Sequence, residues 1–487
     1  MRDHPRFFVA LLTSTALAGC GDGLSSSSSA GDDLRDVGGT FIDTHLTEAG
    51  ESQHAIDPST VTLSALAADG AGFSSHAGAL GEDGTFTIPG VPAGEYYLEV
   101  ATPDSAPTYL VTTERALDLG AVRSGRFDAA APTQPTVVTI TASGLTPWQD
   151  ADTLEVFSLG AGAWDGFGIL AFTGLLSAGT TSLDGFDVDS ARWRTPALID
   201  GSKGDIAEIT HLTTRNNAGF IYKSIGEALT PPPFTQVDGQ GSALDGSFQP
   251  TPQEHVALSV ERAALDQVAA EGNPKGMVTG HEIYFHAEPG GAGRATESST
   301  PSLLVGTDTE AANGTLELDY GNPFPAGWAT VASVGVTYTA FYTLPGASVS
   351  TNINGFAGVV APIDTLSKGP VTPLLGSPQH LQIGGQDGFS AVTGVGLTPE
   401  IQWSAPALGK PDVYAISVRR LEADQPTKRV ARLVTTRTSV VIPPGILSAG
   451  ASYVFVVTAR TGYDPARPNS SGATYATADA LSGLLTP

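Results

Sequence analysis

Histidines, carboxylates and tryptophans are the residues of this chain that could do chemistry, and their spacing limits which of them act together. His281-Glu282-Ile-Tyr-Phe-His286 places two histidines five residues apart around a glutamate. Zinc binding by two histidines on one helix face needs a spacing of four. On a strand, positions 281 and 286 face opposite sides, so the pair reads as structural. Asp184-Gly-Phe-Asp187-Val-Asp189 offers carboxylates to calcium, but it has neither the glycine nor the terminal glutamate of an EF-hand loop. A solvated turn is the better account. Trp148, Trp164 and Trp193 fall in glycine- and aspartate-rich stretches, where exposed rings stack on sugars. They are the candidate ligand-binding residues, and core or edge packing of a large ring is the reading their residue type favours. No G-x-S-x-G elbow, S-x-x-K pair or phosphate-cradling glycine loop occurs. The expectation is therefore a protein without a catalytic residue, metal or cofactor.

The elements that position these residues read as strands. The 487 residues include 58 Gly and 34 Pro and only 15% charged residues, which suits many short strands joined by tight turns. Only residues 261–271 read as a short helix. The length calls for several cores, and Pro231-Pro-Pro and Gln249-Pro-Thr-Pro252 mark a break. The fold class is all-β, a multidomain chain of β-sandwiches with at most short helices. Independent cores joined by such breaks should fold separately. Acidity bears on partners. With 24 Lys+Arg against 50 Asp+Glu the net charge is −26, which argues against nucleic acid, whose affinity rests on cations neutralising phosphates.

Cys20 is the only cysteine, so no disulfide forms within a monomer. A basic start (Arg2, Arg6), an apolar run from Phe7 to Leu12 and small residues precede it, in the order of a secretory signal peptide over residues 1–19. Leu17-Ala18-Gly19-Cys20 resembles the lipobox of bacterial lipoproteins. The resemblance implies cleavage before Cys20, lipidation of its sulfur and acylation of the new N-terminus. Several acyl chains, at about 0.8 kcal/mol per buried methylene, hold a membrane far better than one. Gly21 stands where inner-membrane retention would call for aspartate, so the resemblance implies the outer membrane. Removing residues 1–19 takes Arg2, Arg6 and Asp3, leaving 22 basic and 49 acidic residues and a net charge of −27. Lipid rather than a basic patch must then hold the membrane. Residues 20–36, with five consecutive serines, form a polar tether spanning roughly 20–25 Å.

Residues 37–130 contain Asp83-Gly84-Thr-Phe86-Thr-Ile88-Pro89-Gly90-Val91-Pro92-Ala-Gly94-Glu-Tyr96. A hairpin turn leads into a half-buried strand and a second strand presenting Tyr96, Leu98 and Val100. This stretch closely resembles the carboxypeptidase regulatory-like domain, which implies a small prealbumin-like sandwich without catalytic residues. His45-Leu-Thr-Glu48 has a zinc-peptidase spacing, but that family's α/β catalytic domain is missing, so coincidence explains it. Residues 131–370 form a β-rich middle region, read as two sandwich-like units with the break near 231–252. Residues 371–487 resemble a fibronectin type III domain: Trp403 sits in the second strand, Val413-Tyr-Ala-Ile-Ser-Val418 is the third, and Leu447, Gly450 and Tyr453 have tyrosine-corner spacing.

These readings converge on a lipid-anchored, cell-surface modular protein of the bacterial envelope, binding or spacing rather than catalysing. Its expected partners are the membrane, through the lipid, and an envelope protein or polysaccharide. The alternative is an extracellular hydrolase or carbohydrate-active protein with its site in residues 132–370. Clustered carboxylates and histidines in one cleft would favour the enzyme.

Overall fold

The computed structural model describes residues 33–69, 72–103, 105–166, 176–217, 219–293, 295–296, 300–308, 314–344 and 346–487. Cys20, the signal segment and most of the tether lie outside them. Strands dominate every part of the described chain, and only two α-helices occur, Arg262–Gly272 and Ile363–Leu366. The all-β reading holds, and the expected helix over 261–271 is present one residue on. Its Arg262, Leu265, Val268, Ala269 and Gly272 are buried, the i, i+3, i+4, i+7 stripe that packs one helix face on a core. No described helix is long and apolar enough to cross a membrane.

Among the described residues, four large hydrophobic cores follow one another along the chain. The first lies between the sheet containing Leu34–Thr40 and Thr85–Pro92 and the sheet containing Thr62–Ala68, Tyr96–Ala101 and Thr108–Thr112. Strand pairing begins at Leu34, inside the stretch read as tether. In Thr85–Pro92, Phe86, Ile88 and Val91 point into the core while the threonines stay outside. The turn before this strand needs Gly84, whose φ of 77° is left-handed and whose Cβ would stand 3.0 Å from the Phe41 carbonyl. The second core is covered by Val137–Ser143, Leu183–Asp189 and Ser242–Ser247 on one side, and by Thr153–Ser158, Glu208–Asn217 and Phe220–Leu229 on the other. The third packs the helix and the Gln253–Val260/Gly314–Gly321 pair against Met277–Glu288, Ser302–Asp308, Ala329–Tyr342 and Thr351–Pro362. The fourth holds Ile401, Trp403, Ile416, Leu433 and Phe455 between two sheets.

One sheet runs through all four units. Phe220–Leu229 pairs with Ser302–Asp308, joining the second unit to the third. Thr351–Pro362 pairs with Arg467–Leu481, joining the third to the fourth. Lys428–Thr435 of the fourth pairs in parallel with Thr108–Thr112 of the first. The circuit closes between the first and second units: the Arg126 guanidinium bonds both Asp205 oxygens (2.8 and 3.1 Å from Nε), and Leu46 and Val122 share a small core with Phe157 and Leu159. Val413, Ala415 and Val434 of the last unit lie in the core of the first. Separate folding of the last unit therefore exposes apolar surface. A fragment of residues 371–487 should melt below the full chain and self-associate. Size-exclusion chromatography and thermal unfolding test this, and a monomeric fragment melting with the parent would contradict it.

Candidate functional site

The middle region's chemistry begins with strand register. His211 stands directly opposite Glu227 in the pairing of Glu208–Asn217 with Phe220–Leu229, and the register shifts just after it. Thr153, the first residue of its strand, pairs with Leu212, which brings the preceding Asp152 to the other side of the imidazole. His211 Nδ1 is 2.8 Å from Glu227 Oε1 and Nε2 is 3.1 Å from Asp152 Oδ2. Ionised carboxylates only accept, so with both ionised each ring nitrogen donates, an arrangement that favours the imidazolium. Burial alone would lower the His211 pKa, but the two carboxylates outweigh it and raise it. Burial likewise opposes ionisation of Asp152 and Glu227, and their bonds to His211 and to backbone N–H groups hold both below their ordinary values. Gln149 and Thr214 amides donate to Asp152 (2.9 and 2.7 Å), and Thr146 donates to Glu227 through N (2.6 Å) and Oγ1 (2.8 Å). Both imidazole nitrogens are engaged, so the triad holds a loop to two strands and has no ring nitrogen left to take a substrate proton.

Trp148 stacks on His211 with centroids 5.2 Å apart and planes at 9°. It is 4% exposed, and Trp193 is 5% exposed. Both belong to the second core. The expectation of exposed sugar-stacking rings is therefore corrected at these two positions. The polar residues around them form turns at the sandwich edge, while the rings fill its interior. Trp164 is half-buried. Its Nε1 donates to Glu155 Oε1 (2.8 Å), and the Arg194 guanidinium lies 5.6 Å from its ring centroid. Its edge and one face are thus occupied.

Glu155 is the other unusual carboxyl. Burial pushes its pKa up to about 7, against bonds from Ser302 and Trp164 and with Asp165 adding to the rise. The Ser302 amide donates to Oε1 (2.8 Å), so Glu155 ties the second unit to the third. Beside Ser302 a cavity of about 420 Å³ is lined by Arg194, Tyr284, His286 and Thr300. Burial lowers the His286 pKa to about 4, leaving a neutral ring at pH 7.

The remaining candidates separate. His281 Nε2 meets Asp266 Oδ1 on the helix at 2.7 Å, and it alternates with His286 across Met277–Glu288. His45 Nδ1 bonds the Gly125 carbonyl (2.7 Å), whereas Glu48 accepts from the Ile206 amide (3.4 Å). Asp184, Asp187 and Asp189 lie on a strand rather than a loop. Asp187 accepts from Thr139 Oγ1 (2.6 Å) and Asp189 from the Thr136 amide (2.9 Å). Among the described residues no group of three or more His, Cys, Asp or Glu is placed to hold a metal ion. Asp152, His211, Glu227 and Glu155 were not singled out by sequence reasoning. The one available signal was a histidine within an alternating run that begins at Ile209.

No family model and no curated protein matches this chain. Among solved structures, it aligns with the chicken CNTN1 FN1–FN3 domains at 10% identity, covering 92% of this chain and 96% of that one, with a TM-score of 0.13. It also aligns with a streptococcal ancillary pilin at 11% identity, covering 66% of this chain and 95% of that one, again with a TM-score of 0.13. Neither superposition is close enough to carry a property over to this chain.

Proposed function

We propose that the chain is a lipid-anchored, non-catalytic scaffold of the bacterial envelope, held at the outer membrane through Cys20 and presenting a rigid β body to an envelope protein or polysaccharide. The observation that supports the reading most is the closed circuit of four units: one sheet and one ion-pair joint fix every unit against two others. Buried ionised groups serve that closure, as Arg126–Asp205 does, or lock a single unit, as the His211 triad does. A body of this kind suits spacing and presentation. The regulatory-like and fibronectin type III resemblances agree with it, because their motif residues Phe86, Ile88, Trp403 and Tyr453 are buried.

The anchoring half is tested by Cys20→Ser. Wild-type protein should enter the detergent phase on phase separation, and the variant should stay aqueous and keep its signal segment. Equal partitioning would remove the lipid from the proposal. The second reading is a hydrolase, and one observation favours it: Glu155, with its raised pKa and Asp165 nearby, accepts from the amide of Ser302, which lines the cavity. Residues 21–487 should show no turnover across esterase, protease and glycosidase substrates. Turnover that vanishes in Glu155→Gln would establish the hydrolase instead.

A further inference from the structure

A second cavity, of about 490 Å³, opens between the first unit and the tip of the hairpin formed by Ser452–Asp464 and Arg467–Leu481 of the last. Three bonds fix that tip on the first unit. The Asp118 amide donates to the Ala466 carbonyl (3.0 Å), Asn469 Nδ2 donates to the Leu119 carbonyl (2.7 Å), and Arg467 Nε stands 3.0 Å from Asp118 Oδ2. The two walls are thus set before any ligand arrives, which lowers the ordering cost of binding. A junction between units is also where small-molecule sites concentrate, and the volume lies within their usual range of about 300–1,000 Å³.

The chemistry of the wall selects the ligand. Thr44, Ser470 and Ser471 offer hydroxyls and Gln53 offers an amide, groups that both donate and accept. Two carboxylates also line the cleft: the charge of Asp118 is already met by Arg467, and Asp464 accepts from the Ala466 amide at 2.9 Å. An apolar ligand would desolvate these groups without replacing their bonds. A polyanion would meet a chain of net charge −26 and a guanidinium already engaged. A neutral polyhydroxyl compound satisfies the wall, since each of its hydroxyls donates one bond and accepts others. We propose that this cleft binds a neutral saccharide of one or two rings. The inference takes the saccharide as the partner class of the scaffold proposed above, and it does not depend on the lipid.

The glycines at the cleft allow a test that spares the fold. A Cβ at Gly293 would meet no atom within 4 Å, and one at Gly472 none nearer than 3.8 Å. Gly293→Trp and Gly472→Trp therefore add a bulky side chain at the cleft with no clash at its Cβ. Soluble chain 21–487 would be titrated with N-acetylglucosamine, galactose, maltose and cellobiose, followed by saturation-transfer NMR and calorimetry. Glucuronate and an uncharged pentapeptide serve as comparison ligands. The expected result is binding of at least one neutral sugar, weakened tenfold or more by either tryptophan variant and by Gln53→Ala, with melting temperatures unchanged. Failure of all four sugars to bind would overturn the proposal. So would sugar binding that survives both tryptophan variants, or pentapeptide binding that the variants abolish. None of these outcomes alters the partitioning result for Cys20, so the two proposals fail separately.

Discussion

Asp152→Ala should destabilise the folded chain by about 3–5 kcal/mol, the usual cost of leaving a buried ion without one of its partners. His211 is fully buried, with one carboxylate on each ring nitrogen. Removing Asp152 also frees the Gln149 and Thr214 amides it accepts from. His211→Leu should cost a similar amount, because two carboxylates would then face each other without a cation between them. The triad also shapes the pH dependence. The raised pKa of His211 gives a contribution that is complete below its unfolded value of about 6.5 and is lost as pH rises through the folded value. The lowered values of Asp152 and Glu227 give contributions present above about 4.3 and lost as pH falls through their folded values. The triad therefore stabilises most between about pH 4.3 and 6.5. Urea unfolding at pH 5.5 and 8.5 should show wild type losing more stability on the alkaline side than His211→Leu. Equal losses would mean that His211 is not held as an imidazolium.

Trp403→Ala should cost about 3–5 kcal/mol, as for other large-to-small core deletions. The ring is 5% exposed and meets Tyr414 edge-on at 5.2 Å. Ile401 and Trp403 point inward from Glu400–Ser404 while Glu400, Gln402 and Ser404 face out. The hole would therefore open in the middle of a sheet face, where little can collapse into it. A shift in the urea midpoint at unchanged slope measures the effect. A variant as stable as its parent would place the ring outside the core.

What was legible in the amino-acid order was local and periodic. Alternation in 85–92 placed Phe86 and Ile88 inside, and the spacing Leu447, Gly450, Tyr453 anticipated a phenol bonded upstream, where the Ser448 amide donates to it at 2.9 Å. The opposite facings of His281 and His286 also followed from a period of two. Long-range features had no such signature. Asp152, His211 and Glu227 are brought together by the register of three strands, and nothing in their separations marks them as partners. Lys428–Thr435 carries three basic residues among its eight positions, and its parallel partner is more than three hundred residues away. The tryptophans were ambiguous because glycine and aspartate nearby reveal where the chain turns and say nothing of which side a ring takes; Trp148 and Trp193 took the core.

The parallel pairing also constrains the order in which the molecule can be completed. Thr108–Thr112 belongs to the first unit to be synthesised, yet its neighbour arrives with Lys428–Thr435. Until then the strand waits with its backbone groups and the underside of the first core open, an invitation to pair with another chain. Contacts this distant in sequence form slowly. Maturation should therefore be limited by the arrival of the C-terminal unit, and chains cut short before residue 428 should be the ones that need a holding chaperone.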